Sequence, residues 1–182
     1  MKLGKTLYVW NRRQWRAWLA RHHKTAREIW LIYYKKDSGR PRIAYNDAVD
    51  EALCYGWIDS LLKPIDGRRY AQRFSPRKPT SRLSDMNRER VRRLIKAGRM
   101  TKAGLAAIAH AKPASSKIPP DIVARLKQDP EVWRNFQRFP ASYKRIRLGW
   151  IAAARARRAA FEQRLRYFVK MTKRNKRFGM VQ

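Results

Sequence analysis

The run from Tyr45 to Ser81, YNDAVDEALCYGWIDSLLKPIDGRRYAQRFSPRKPTS, constrains the fold most, because the hydrophobic period changes inside it. Ala48, Val49, Ala52, Leu53 and Cys54 recur at helical spacing and give one apolar face. Asn46 is placed to cap this helix, and Asp47, Asp50 and Glu51 favour its N-terminal half through the helix dipole. Gly56 follows the last periodic residue, where a left-handed cap is expected. The spacing then becomes that of strands. Trp57–Leu62 and Arg69–Phe74 form two strands joined near Asp66-Gly67, a hairpin dipeptide, and Pro76 and Pro79 end the second.

Before this run, Thr6–Val9 reads as a short edge strand. Asn11 caps a helix from Arg12 to about His23, with Gln14 completing a capping box and Trp10 stapled to Trp15. Trp15, Trp18, Leu19 and His22 share a face of that helix. Glu28–Lys36 is rich in Ile, Trp, Leu and Tyr and reads as a central strand. After the hairpin, Ser84 caps a helix over Asp85–Ala97, with Val91, Leu94 and Ile95 inward and Gly98 as its stop. Thr101 starts another, through Ala111, that buries Leu105 and Ile108 and ends at Pro113; 114–117 is a loop. The remainder has helical periodicity throughout. Starts fall at Pro120 and at Asp129-Pro130-Glu131, with Trp133, Phe136 and Phe139 inward. Pro140 is a break, and Ser142 caps a helix carrying Ile146, Leu148, Trp150 and Ile151. Its continuation places Phe161, Leu165, Phe168, Val169 and Thr172 on one face, and residues past Lys176 fray.

These elements predict an α+β protein: a small, mainly antiparallel sheet packed by helices, followed by a helical C-terminal half. The expected divisions are an α+β domain over 1–80, a helical connector region over 81–113 packed on it, and a C-terminal helical region over 118–178.

Composition matters chiefly through charge. With 45 Lys+Arg against 13 Asp+Glu, the formal net charge is +32. Such an excess is self-repelling and favours a polyanionic partner, unless it marks a generally basic proteome. The 44% apolar content, with seven Trp, is enough for a packed core. Cys54 is the single cysteine and reads as a small buried hydrophobe. No run approaches a membrane span and MKLGKTLYVW lacks the apolar centre of a secretory signal, so a cytoplasmic location is expected. His22 and His23 point about 100° apart on a helix, His110 is isolated, and no metal site is assigned.

The sequence contains no nucleophile elbow, glycine-rich phosphate loop or metal-ligand cluster, so no catalytic residue and no cofactor are assigned. Five of the thirteen acids lie between Asp47 and Asp66, and in the simplest reading Asp47, Asp50 and Glu51 stabilise the helix start and pair with nearby Arg. Trp57 and Asp59 share a strand face. Asp59 either forms a structural ion pair with Arg73, or meets Arg73 or Arg77 to line a ligand pocket with Trp57 and Tyr45. For a polyanion, Arg88, Arg92, Lys96 and Arg99 form one helical stripe about 16 Å long, and Arg166, Lys170, Lys173 and Arg174 a second. Contacts of this kind are directed to the backbone of nucleic acid or another polyanion and are weakly sequence-specific.

The run ALCYGWIDS followed by QRFSPRKPTS resembles the YdeI/OmpD-associated family, also called the OmdA or bacteriocin-protection family. The segments W15RAWL19, I29WLIYYKK36, N87RERVRRLIKAGRMTKAGLAAI108 and L148GWI151 support the resemblance. It implies a bacterial protein linked to envelope stress and resistance to bacteriocins or cationic peptides, without defined catalysis, and makes 118–178 the OmdA-like region. The chain departs from the family pattern in two places. Ser81-Arg82-Leu83-Ser84 lacks the family's tryptophan, and Ala154-Arg155-Ala156-Arg157-Arg158-Ala159 replaces its C-terminal Ala-Lys and Glu-Thr-Arg.

Overall fold

The computed structural model describes residues 3–81, 83–109 and 119–179. Internal contacts gather into two units: Met1–Arg82 with Arg90–Ala111, and Leu83–Glu89 with Lys112–Gln182. Among the described residues the architecture is α+β, with one four-stranded, mostly antiparallel sheet and a helical C-terminal half.

In the first unit the order is β1 (Thr6–Tyr8), α1 (Arg12–His22), β2 (Ile29–Tyr34), α2 (Tyr45–Cys54), β3 (Trp57–Pro64) and β4 (Arg69–Pro76). The second part of α3 (Asp85–Lys96) and α4 (Lys102–Ile108) follow. The strands lie in the order β1-β2-β4-β3. β1 and β2 are parallel because α1 carries the chain back between them; the other pairings are antiparallel. Strand alternation divides the side chains. Ile29, Leu31, Tyr33 and Phe74 point to the helical face, where Trp15 meets Phe74 edge-on at 5.4 Å and donates from its indole to the Ala48 carbonyl at 3.0 Å. Trp30, Ile32 and Tyr34 point to the opposite face, beside Arg73, Ala71 and Arg69 respectively.

Local signals set these elements with identifiable exceptions. Asn11 caps α1 as expected, accepting from the Gln14 amide, while the Gln14 side chain accepts from the Trp10 amide. The staple does not form: Trp15 is buried, but Trp10 is 48% exposed and leans on Tyr8. α2 begins one residue before Asn46, with Ala44 at its cap and no side-chain bond there. The hairpin forms, but Gly67 is not at positive φ; the connection is a four-residue loop held by the Asp66 side chain, which accepts from the Arg68 amide. A bulge between Asp59 and Leu62 interrupts β3. Gly56 has φ +75°, as a left-handed cap requires. Val91 and Leu94 of α3 are inward, whereas Ile95 is 50% exposed and Arg90 takes the buried position. α4 turns Gly104, not Leu105, to the interior, because Thr101 ties its start to the Cys54 carbonyl, donating from its hydroxyl at 2.7 Å. His110, the helix end at Ala111, Pro113 and the loop 114–117 lie outside the described residues, as does Arg82.

The second unit contains α5 (Pro120–Lys127), α6 (Pro130–Arg138), α7 (Ala141–Ala152) and α8 (Arg158–Lys173). Asp129 caps α6 by accepting from the Glu131 and Val132 amides. α7 starts at Ala141 after Pro140, so Ser142 is inside the helix and not its cap. Residues 153–157 separate α7 from α8. Ile122, Leu126, Phe136, Tyr143, Ile151, Leu165 and Phe168 form the core. Residues 177–179 do not fray: Phe178 packs on that core, its ring under the Arg147 guanidinium at 4.6 Å and edge-on to Tyr167 at 4.7 Å, while 180–182 lie outside the described residues.

Candidate polyanion interface

Burial of seven consecutive residues, Ala48 to Cys54, makes α2 interior on all sides, and this includes Asp50 and Glu51. A buried carboxylate needs full compensation. Glu51 accepts from Arg12 Nε at 2.8 Å, from Arg16 Nη1 at 2.8 Å and from Arg99 Nη2. Asp50 accepts from Arg90 at 2.8 Å and Arg93 at 2.7 Å. Arg12 also reaches Asp47 at 3.1 Å. Guanidinium groups from α1, α3 and the turn after it are thus gathered by two side chains that the sequence assigned to the helix dipole and to pairing with nearby Arg; the pairing forms, with arginines distant in the chain. The available signal was the density of acids on so short a helix in a chain of 45 Lys+Arg.

The sequence-predicted pocket residues are brought to one region but not into one cluster. Trp57 is buried in the core, its Nε1 donating to the His23 carbonyl at 3.2 Å, and it packs edge-on against Trp18. Asp59 does not pair with Arg73. It lies opposite Phe74, so β4 alternation sends Arg73 to the other face, where it donates to Glu28 at 2.7 Å. That bond, with a second from the Trp30 indole, holds the Glu28 carboxyl below its ordinary range. Asp59 instead accepts from the Tyr45 hydroxyl at 2.8 Å. Burial, followed by the Asp59 charge, raises the Tyr45 pKa, so Tyr45 is a neutral donor here and not a base. Arg77 is buried, and its amide donates to the Gly56 carbonyl at 2.9 Å. Burial also raises the Cys54 thiol.

The first basic stripe is divided between internal ion pairs and the surface. Arg99 is held by Glu51, Arg88 approaches Asp85 at 4.0 Å and is half-buried, and Arg92 and Lys96 are exposed. The second stripe stands on the solvent side of α8. Arg166, Lys170 and Arg174 follow at four-residue intervals, with Lys173 beside them donating to Asp129 at 2.9 Å. Tyr167, on the same side, is 45% exposed. From Ala141 to Arg177 the sequence holds one carboxylate, Glu162.

Sequence reasoning missed a concave site at the end of the hairpin. Tyr34, Arg40, Asp66, Gly67, Arg68 and Arg69 line a cavity of about 520 Å³. Arg40 lies over the Tyr34 ring at 5.2 Å, and Arg69 is tied to Asp66 at 2.6 Å. A smaller hollow of about 360 Å³ is lined by Trp18, His22, Arg27 and Glu28, among others. Among the described residues no group of His, Cys, Asp and Glu could hold a metal ion, and no helix is long and apolar enough to cross a membrane.

The fold and its surfaces define an α+β protein in which two of the thirteen acids, Asp50 and Glu51, are buried against arginines, while 45 Lys+Arg outnumber the remaining acids. Residues 7–107, more than half of the chain, match the family model described as Domain of unknown function (DUF8412), and the chain belongs to that family. Residues 115–175 match the model described as Bacteriocin-protection, YdeI or OmpD-Associated (OmdA). The GWIDS and RFSPRKP segments fall within the first of these matches and the L148GWI151 segment within the second. No curated protein and no solved structure matches the chain at a significant level.

Proposed function

We propose that this protein binds polyanions, nucleic acid foremost, by contacts to the phosphate backbone and without catalysis. The observation that carries the reading is the solvent side of α8, where Arg166, Lys170 and Arg174 stand in line over about 12 Å. That length covers roughly three base-pair steps of duplex. The burial of Asp50 and Glu51 supports it further, since these two acids on α2 add no negative charge to the exposed surface. A positive field of this kind speeds encounter with polyanions and gives affinity with little sequence preference.

The OmdA description of the C-terminal match supplies a setting for the same property. A protein of net charge +32 repels cationic peptides, so protection from them would come from occupying the anionic surface they seek. Fluorescence anisotropy with a short labelled duplex tests the proposal. Sub-micromolar binding at low salt, lost by a few hundred millimolar, is the expected result. Unchanged anisotropy at low salt removes it.

A further inference from the structure

We infer that the hairpin-end cavity and the aromatic row beside it form a binding site for single-stranded nucleic acid. This rests on the polyanion reading but adds what that reading does not specify: unpaired bases as the recognised groups.

The row follows from strand register. Tyr8 of β1 lies opposite Ile32 and Tyr34 lies two residues further along β2, so both rings point to the sheet face opposite α1 and α2. Tyr34 meets Tyr8 edge-on with centroids 5.1 Å apart, and Tyr8 meets Trp10 at 5.9 Å. The Tyr8 hydroxyl donates to the Pro41 carbonyl at 2.5 Å, which fixes the central ring. Trp10 stands 48% exposed at one end, although burying an indole is among the larger hydrophobic gains open to a chain. At the other end Arg40 covers one face of Tyr34, and the cavity of about 520 Å³ opens towards Arg68 and Arg69.

Each part matches one part of a nucleotide. Aromatic rings stack bases of any sequence, arginine planes do the same, and guanidinium forks bind phosphate. Asp66 neutralises one arginine of the cavity, Arg69, which leaves Arg40 and Arg68 to meet backbone charge. The hollow is open to solvent on one side and is wide enough for one nucleotide to rest in it without being enclosed. A duplex cannot use the rings, because its bases are already stacked on one another. Single strands can, and the chemistry is the same for DNA and RNA.

The test is anisotropy with a short labelled oligothymidylate and with a duplex of equal length, using the full chain. Trp10→Ala and Tyr34→Ala should each weaken single-strand binding about tenfold and leave duplex binding within about twofold, and Tyr34→Phe should behave as wild type. If Tyr34→Ala loses its fold by circular dichroism, Trp10→Ala decides, since the exposed indole is not part of the core. Equal loss on both nucleic acids, or no loss on either, overturns the single-strand site while the polyanion reading stands. A wild-type protein that binds neither at low salt removes the polyanion reading and this inference with it.

Discussion

Glu51→Gln is the substitution that most sharply tests how this fold manages its charge. Glu51 has no exposed side-chain surface, and its two oxygens receive donors from Arg12, Arg16 and Arg99. The amide preserves shape and one acceptor but removes the charge and presents an N–H to a guanidinium. Bonds to a charged group contribute about 1.5–3 kcal/mol and neutral ones about half that, so three weakened contacts amount to roughly 2–4.5 kcal/mol. The three arginines are each about a third exposed and can turn to water, which reduces the figure to about 3 kcal/mol. For a chain of this length that lowers Tm by roughly 6–12 °C. Urea unfolding followed by circular dichroism measures it, with Glu131→Gln as the surface control. A change under about 0.5 kcal/mol, the size of an ordinary surface substitution, would refute the reasoning, because the arginines would then be solvated independently of Glu51.

Two further outcomes follow from packing and titration. Gly104 presses on the end of α2 so closely that an added Cβ would overlap the Cys54 carbonyl oxygen; Gly104→Ala should cost about 1–3 kcal/mol by displacing α4, read as a lower urea midpoint. Burial raises the Tyr33, Tyr45 and Tyr143 hydroxyls above the ordinary tyrosine value, so ultraviolet titration should show delayed phenolate formation in the native state. Because the folded pKa values are raised, the stability they contribute is full below about pH 10 and is lost as pH climbs through the folded values. Native tyrosines that titrate together at the ordinary value would contradict that burial.

The parts legible in the sequence are those encoded within a few residues. Asn11, Thr101, Asp129 and Gly56 mark helix ends by their own side-chain or backbone chemistry, and the alternation on either side of Asp66-Gly67 gave the hairpin and both its strands. What escaped depends on residues far apart. Pairing of Asp50 and Glu51 with arginine was expected, but their partners lie forty or so positions away on either side, which helical spacing cannot name. The Asp59–Arg73 pairing failed because partners one position out of register face opposite sides of a sheet; Glu28, at the edge of β2, was the acid in reach. The Tyr8–Tyr34 contact needed the parallel register of a three-residue strand, which no local signal specifies.

The claim everything else leans on is that the α8 cations are free to meet phosphate. It is measured by the slope of log affinity against log salt for duplex DNA, wild type against the variant Arg166→Ala, Lys170→Ala, Arg174→Ala. Three phosphate contacts at about 0.9 each predict a slope shallower by about 2.7 in the variant, with unchanged thermal stability. Identical slopes for the two proteins would contradict the account.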